Sequence, residues 1–213
     1  MRGDWPALQT WSRRCVALAS ENALPYPLAF ATVLHGIATV EQNQPEQGLI
    51  LIREGISTCK KLGTVSGLSG PLTGLAQSYK SAGNIQQASE ALDQAFEFAK
   101  THDEHAWEAE LYRIKGELLL DQRLANRRAT RSRSEQEAEE CFRAAMELAR
   151  NQGAQKWNLR AATSLCMLRR QQNTNLREAL ELLASACNAV SESENNLDLN
   201  YAQLVLSGVP ATN

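Results

Sequence analysis

Two histidines, His102 and His105, and three acidic side chains beside them are the residues whose types could bind a metal ion. The acidic residues are Asp103, Glu104 and Glu108. Imidazole nitrogens and carboxylate oxygens are common ligands of Zn²⁺ and other transition metals. A metal site also needs ligands that converge, and no further ligand set with a matching spacing occurs in the sequence. We therefore interpret this stretch as a solvated turn between helices, and we expect no metal and no cofactor.

No side chain stands in a motif for nucleophilic catalysis. No serine or cysteine has such surroundings, and no histidine is placed by a local pattern to activate one. His35 lies in an apolar helical segment, where a hydrogen-bonded core histidine is the default interpretation. The phosphate-binding pattern GxxxxGK followed by Ser or Thr is absent, as are the paired aspartates that a nucleotide cyclase needs. We expect no catalytic residues and no enzymatic activity.

An arginine-rich insertion, residues 123–133, is the charged segment that could bind a ligand. It contains five arginines and no acidic residue: Arg123, Arg127, Arg128, Arg131 and Arg133. Guanidinium groups form paired hydrogen bonds with carboxylates and phosphates. Two interpretations stay open, a solvated loop without a ligand and an anion-binding or partner-docking element. Nucleic-acid binding is the weaker form of the second, because the segment lacks aromatic residues that would stack on bases.

A helical repeat positions these residues along the chain. In the stretch 84–99, small and large apolar residues lie at offsets 0, 4, 7 and 11, which is one face of an α-helix. The same face begins at Gly48, Ala88, Ala138 and Ala179. The spacings are 40, 50 and 41 residues, so each period has room for two helices. Small residues at offsets 0 and 7 let a second backbone approach, and the large residue at offset 4 fills the space beside them.

Proline, glycine and polar clusters divide the chain into about ten predicted helices. The predicted helix pairs are near 27–62, 69–102, 104–151 and 156–190, with an N-terminal helix at 5–21 and a C-terminal capping helix at 197–207. Capping boxes are predicted for Asn84 with Gln87, Ser134 with Glu137, and Asn175 with Glu178. The apolar side of the first helix is predicted to hold Trp5, Leu8, Trp11, Cys15 and Leu18. The sequence thus predicts one all-α domain over residues 1–213, a right-handed superhelical solenoid of antiparallel helix pairs.

The repeat resembles a known family. The series formed by Leu75, Ala76, Tyr79, Gly83, Ala88, Leu92 and Ala95 is similar to the tetratricopeptide repeat (TPR). Three stretches, 47–56, 108–120 and 137–165, resemble the C-terminal TPR region of bacterial multidomain proteins that combine a class III adenylate/guanylate cyclase domain with a predicted signalling ATPase. The resemblance implies a protein-interaction scaffold, regulatory or sensory in bacterial signalling. Its partner would be a protein or peptide, or cyclase and ATPase domains that are covalently linked or co-encoded.

A candidate concave groove follows from the same architecture. In stacked helical hairpins the first helices line the concave side, and residues one step off the packing stripe face the groove. These residues are Thr73, Gln77, Lys80, Glu110, Arg113 and Glu117. Their polar and charged mixture suits the binding of an extended peptide or a helix. An ordinary solvated helix face fits the same pattern.

Composition and cysteine usage restrict the expected classes of partner and the expected cellular compartment. The formal net charge of −2 gives no reason to expect nucleic acid or an anionic membrane as a partner. No signal-peptide pattern and no run of 18 apolar residues occurs, so a membrane span is not expected. The five scattered cysteines form no CxxC pair, which favours reduced, buried thiols in a cytoplasmic protein. They are Cys15, Cys59, Cys141, Cys166 and Cys187.

Overall fold

A computed structural model of the protein describes residues 4–63, 66–125, 131–190 and 196–208, with the backbone alone at 123–125 and 131–132. These residues form ten α-helices and no strand. The helices are α1 Trp5–Glu21, α2 Pro25–Glu41, α3 Pro45–Lys61, α4 Ser69–Ser81, α5 Ile85–Thr101, α6 Glu108–Ala125, α7 Arg131–Asn151, α8 Gln155–Gln172, α9 Leu176–Ala189 and α10 Leu197–Ser207. None of these helices is long and apolar enough to cross a membrane.

The contacts between helices divide the chain into two compact units, Gly3–Trp107 and Glu108–Asn213. In the first unit α2 packs on both α1 and α3, and α4 packs on α5. In the second unit α7 packs on both α6 and α8, α8 on α9, and α10 on α8 and α9. The four helix pairs expected from the repeat are therefore all in contact within their units. That 1–213 is a single domain stays a prediction.

The small-large-small face is the packing seam in the first unit, as the repeat predicts. On α3, Ile52 and Cys59 are fully buried, and Gly48 and Gly55 on the same face allow the α2 backbone to come close. A Cβ atom added at Gly48 would lie 2.6 Å from the carbonyl oxygen of Gly36, closer than real Cβ contacts. A Cβ atom at Gly55 would meet the backbone of α2 at the same distance. Glycine is required here because two helix backbones touch.

The second unit uses the same seam with larger residues. Phe142 is buried at offset 4 of α7, and Ala138 and Ala145 flank it. Its ring lies where a Cβ atom at Gly116 of α6 would be, 2.6 Å from the added atom. On α9, Leu183 fills the corresponding place. The repeat period therefore identifies the core of both units, because the same offsets point inward in each.

The predicted capping boxes are wrong. Asn84 and Asn175 do precede their helices, but neither side chain makes a capping hydrogen bond, and Ser134 lies inside α7. The backbone explains the failure at Asn175, whose φ of 48° and ψ of 29° are left-handed rather than extended. Two other residues do cap helices. The side chains of Asp4 and Asn196 accept hydrogen bonds from the backbone N–H three residues later, at 2.9 and 3.2 Å.

Candidate functional site

The candidate groove residues of the first unit are mostly buried. Thr73 and Gln77 on α4 are 0% and 4% exposed, and Lys80 is half-buried. The Thr73 hydroxyl donates to the carbonyl oxygen of Ser69 one turn earlier, at 2.6 Å. The prediction that Thr73 and Gln77 face an open groove is therefore wrong. Nearly the whole of α4 is covered, so a position one step off its packing stripe is still inside the core.

The candidate groove residues of the second unit form a buried ion pair. Glu110 and Arg113 on α6 are 0% and 3% exposed. The Nε and Nη2 atoms of Arg113 each donate to a different carboxylate oxygen of Glu110, both at 2.9 Å. Its Nη1 atom donates to Glu117, which is half-buried. The open-groove prediction is also wrong for Glu110 and Arg113, because they are enclosed and satisfied by each other.

Residues of α8 and α10 complete what we call the charge network, namely Glu110, Arg113, Glu117, Lys156, Arg160 and Asp198. The Nη2 atom of Arg160 lies 2.9 Å from Oε1 of Glu110, and its Nε atom lies 3.9 Å from Oδ1 of Asp198. Lys156 reaches the other oxygen of Asp198 at 3.7 Å. Ser164 donates to Glu117 at 3.2 Å. Three cations face three carboxylates, so the network balances its own charge and has no excess cation for an external anion.

Burial and charge act in opposite directions on the two guanidinium groups. Burial lowers the pKa of Arg113, but the combined effect of Glu110, Glu117 and Asp198 outweighs it, and the pKa is raised. Burial lowers the pKa of Arg160, and Glu110 and Asp198 oppose this only in part because Arg113 repels it. Arginine stays protonated in proteins, so both groups remain charged. The network therefore holds desolvated charges whose separation would be costly.

The sequence pattern predicted that Glu110, Arg113 and Glu117 share one face of α6, but it gave no indication of Arg160 and Asp198. The side chains on α6 share one face because they are spaced by three and four residues. Arg160 is the charged residue in an otherwise apolar and small run on α8, and Asp198 lies in the first turn of α10. A charge inside an apolar run is a usable signal for a buried ion pair. Which opposite charge it meets depends on tertiary packing.

Helices α6 and α7 extend into the arginine-rich insertion from its two ends. Arg123 lies in the last turn of α6, and Arg131 is the first residue of α7. Arg127 and Arg128 lie outside the described residues. Arg133 is exposed, and its Nε atom lies 2.9 Å from Glu137 one turn later on α7. The expected loop is thus shortened at both ends, and a docking role for the insertion stays a prediction.

The histidine-containing turn lies between α5 and α6, as expected. The Nε2 atom of His105 lies 2.8 Å from Asp103, and the ring of His102 stacks on Phe98 at 3.9 Å between centroids. Across the described ranges, no group of three His, Cys, Asp or Glu side chains could hold a metal ion. Helix α6 begins at Glu108, four residues later than predicted, because the residues before it form this turn.

Glu104 in the same turn caps α4. Its carboxylate accepts hydrogen bonds from the backbone N–H of Gly67, from the backbone N–H of Ser69 at 3.1 Å, and from the Ser69 hydroxyl. A negative charge at a helix N-terminus satisfies free N–H groups and interacts favourably with the helix dipole. The ring of Trp107 covers Gly70, the second residue of α4, where an added Cβ atom would be 2.8 Å from it. The turn is thus fixed to the start of α4.

The cysteine thiols and His35 are described by their burial and their hydrogen-bond partners. All five cysteines are free; Cys59, Cys141 and Cys166 are buried, Cys187 is half-buried and Cys15 is exposed. Burial raises the pKa of each of the first four thiols. His35 is half-buried, and its Nδ1 atom lies 3.3 Å from the Ser12 hydroxyl, as expected for a hydrogen-bonded histidine. Burial, and to a lesser extent Arg13, lowers the pKa of His35.

An apolar groove lies between α1 and α2. The buried residues of α1 are Ser12 and Ala19, whereas Trp11 and Leu18 are 61% and 57% exposed. The predicted packing side of α1 is therefore wrong for Trp11 and Leu18, and also for Cys15, which is exposed. The groove has a volume of about 640 Å³ and is lined by Cys15, Leu18, Ala19, Asn22, Leu24, Tyr26, Pro27, Phe30, Ala31 and Leu34.

A second open site, which we call the α3–α5 furrow, runs between α3 and α5 above α4. It consists of two hollows of about 340 and 530 Å³ that share Lys60, Leu72 and Gln94. Its floor is apolar and its two walls are charged. The floor contains Ile56, Leu72, Leu75, Tyr79 and Ala91, and the walls carry Arg53 and Lys60 on α3 and Glu90, Asp93 and Glu97 on α5.

Comparison with solved structures identifies the fold. The chain is similar to BtubC (BKLC) from P. vanneervenii, with a TM-score of 0.67 and 16% identity over 98% of this chain and 84% of that protein. It is also similar to two crystal structures of a Podosopora anserina kinesin-light-chain-type protein with nearly identical TPR-like repeats, one of them a single-residue variant. Their TM-scores are 0.53 and 0.51, at 16% and 15% identity, over 86% and 96% of this chain and 93% and 98% of theirs. The fold is TPR-like.

The TPR-like fold confirms the all-α repeat architecture expected from the sequence. No protein-family model matches the chain. No curated protein matches it either. At 15–16% identity the structural likeness extends to the fold alone. The narrower resemblance to cyclase-associated and ATPase-associated TPR regions stays a prediction.

Proposed function

We propose that the chain is a non-catalytic protein–protein interaction scaffold. The observation that carries this proposal is the α3–α5 furrow, where an apolar floor lies open between two charged helix walls in a TPR-like fold. Helix-lined grooves with an apolar floor bind the apolar face of a partner helix or peptide. The cations and carboxylates of the charge network neutralise each other. Burial raises the pKa of four cysteine thiols, which disfavours the reactive thiolate, so neither feature supplies a reactive group.

We further propose a setting for this scaffold. The resemblance of residues 108–165 to TPR regions of bacterial cyclase and ATPase proteins supports a regulatory or sensory role in signalling. The partner would then be a cytoplasmic protein, either a separate chain or a catalytic domain that is linked or co-encoded. Nucleic-acid or anion binding by the arginine-rich insertion is the alternative.

Affinity capture with the full chain, followed by reconstitution from purified components, tests the proposed function. The expected result is a captured protein that forms a complex of fixed stoichiometry with the chain in size-exclusion chromatography with light scattering. Titrations with double-stranded DNA and single-stranded RNA across a salt series form the second arm. Nucleic-acid binding with a steep salt dependence, together with no stoichiometric protein complex, would contradict the scaffold and support the alternative.

A further inference from the structure

Helices α3 and α5 of the first unit and helices α7 and α9 of the second are equivalent in the repeat but differ in charge. In each unit they are the second helices of two successive helix pairs. Aligning the units on the repeat face, with Gly48 on Ala138 and Ala88 on Ala179, places Arg53 on Arg143. The same alignment sets Gln87 on Glu178, so a carboxylate of the second unit is replaced by an amide in the first.

In the second unit a side chain of α7 forms an ion pair with α9. Arg143 donates through Nη2 to Glu178 on α9 and through Nε to Glu139 on α7, both at 2.9 Å. In the first unit the amide of Gln87 offers no charge to Arg53. There the Nε atom of Arg53 donates to the carbonyl oxygen of Leu49 at 3.3 Å, within its own helix. Among the described residues, an ion pair between the equivalent helices is thus present in the second unit and absent in the first.

The opposite wall of the α3–α5 furrow carries carboxylates at two positions where α9 has uncharged residues. Asp93 and Glu97 align with Ala184 and Asn188 of α9. Within the part of the chain that the structure describes, no carboxylate of α5 pairs with Arg53 or Lys60 across the furrow. Glu97 accepts from Thr101 on its own helix at 3.4 Å, and Glu90 accepts in the same way from a glutamine one turn earlier. One wall is therefore basic, the other acidic, and neither is neutralised by its neighbour.

The spacing of these charges matches a helix. Arg53 and Lys60 are seven residues apart on α3, and Glu90 and Glu97 are seven apart on α5. Seven residues are two helical turns, or about 10.5 Å. A ligand helix lying along the furrow repeats its edge residues at the same interval, and its apolar stripe would cover the floor. An extended strand would place equivalent side chains at intervals of about 6.6 Å, which do not match.

We propose that the α3–α5 furrow binds an amphipathic helix of a partner protein, with an acidic edge against α3 and a basic edge against α5. This assignment rests on the proposed scaffold function and names the partner's chemistry. Opposite charges on the two walls also fix the orientation of the bound helix, because a helix with exchanged edges would meet like charges.

The test uses a display library of 16-residue amphipathic helices selected against the full chain at low salt. The expected enrichment is for peptides with acidic residues seven apart on one edge and basic residues seven apart on the other. Affinity of a synthetic enriched peptide is then measured by fluorescence anisotropy for three proteins. These are the unchanged chain, the furrow variant R53E/K60E and the control variant K61E/K100E.

Both variants change the net charge equally at exposed positions of the first unit, but Lys61 and Lys100 do not line the furrow. Each exposed pair contributes a factor of up to about five, so turning two attractions into repulsions should weaken binding by about tenfold or more. The control variant should bind within about twofold of the unchanged chain. A peptide whose acidic edge is replaced by lysine should recover binding to the furrow variant.

Two results would overturn the assignment: enrichment without the paired edges, or equal affinities for the furrow and control variants. In either case, a captured protein that still forms a stoichiometric complex would support the scaffold function. That protein would then bind a surface other than the furrow. Absence of both peptide binding and a stoichiometric protein complex would remove the furrow assignment and the proposed function together. Circular dichroism of each variant confirms that it is folded.

Discussion

Replacing Glu110 by glutamine should lower the free energy of unfolding far more than the same substitution at an exposed glutamate. Glu110 is fully buried, accepts two hydrogen bonds from Arg113 and lies 2.9 Å from Arg160. The substitution preserves shape but removes the negative charge between two buried guanidinium groups. Removing one partner of a buried ion pair typically costs about 3–5 kcal/mol, because the remaining charge stays desolvated. We expect a loss of that size in the free energy of unfolding.

The matched control is Glu181→Gln on α9. Glu181 lies 3.0 Å from Arg177, four residues earlier, and the two side chains are 66% and 94% exposed. An exposed pair at this spacing contributes about 0.3–0.5 kcal/mol. Urea unfolding followed by circular dichroism gives both values, with the m value showing that the unfolded states are comparable. A loss for Glu110→Gln within about 0.5 kcal/mol of the control would refute the buried network.

A double-mutant cycle extends this test to the pair itself. Glu110→Gln and Arg113→Gln remove opposite ends of the same bidentate interaction, so their effects should not add. Residues in one hydrogen-bonded network show coupling energies of about 0.5–3 kcal/mol. The double variant should therefore be more stable than the sum of the single losses indicates. Additive losses would mean that Glu110 and Arg113 are stabilised by other groups.

Three further predictions follow from packing and ionisation. Gly48→Ala should destabilise the first unit by about 1–3 kcal/mol in urea unfolding, because its Cβ atom would lie 2.6 Å from the carbonyl oxygen of Gly36; unchanged stability would contradict the close approach. His35 has a lowered pKa through burial and Arg13, so the unfolded chain takes up its proton first and stability should fall as pH drops below about 6.5. His35→Gln should flatten that pH dependence, and an equal slope would exclude this histidine as its source. Iodoacetamide should label Cys15 well before the four thiols whose burial raises their pKa, as mass spectrometry of digests can show; uniform labelling would contradict their burial.

The packing seams were predictable because a helix that packs along its length uses the same offsets repeatedly. Gly48, Leu92, Phe142 and Leu183 all occupy the repeated face, and three are buried side chains in the core while the glycine permits backbone contact. Local periodicity and the long-range period depend on the same geometry. Agreement between them therefore predicted both the helices and which face of each helix is inside.

Exposure of the remaining faces was not predictable from periodicity. Glu110 lies one step off a packing stripe, and whether it meets water or protein depends on α8, which brings Arg160 to it, and on α10, whose Asp198 lies beside Arg160. Trp11 shows the converse error, since an apolar stripe on α1 predicts burial but α2 contacts the other side through Ser12. The periodicity of a single helix determines which residues share a face, whereas the packing of neighbouring helices determines whether that face is buried.

The sequence by itself determined the TPR-like repeat, the helix pairs and the buried seam, because these depend on the spacing of residues along one chain. Tertiary structure decided the candidate sites. It converted Glu110 and Arg113 from groove residues into a charge network, and it placed Arg53 opposite acidic α5 rather than beside a carboxylate like that of Glu178. The physical reason is that an electrostatic interaction depends on the distance between groups from different helices. That distance is fixed only when the helices pack.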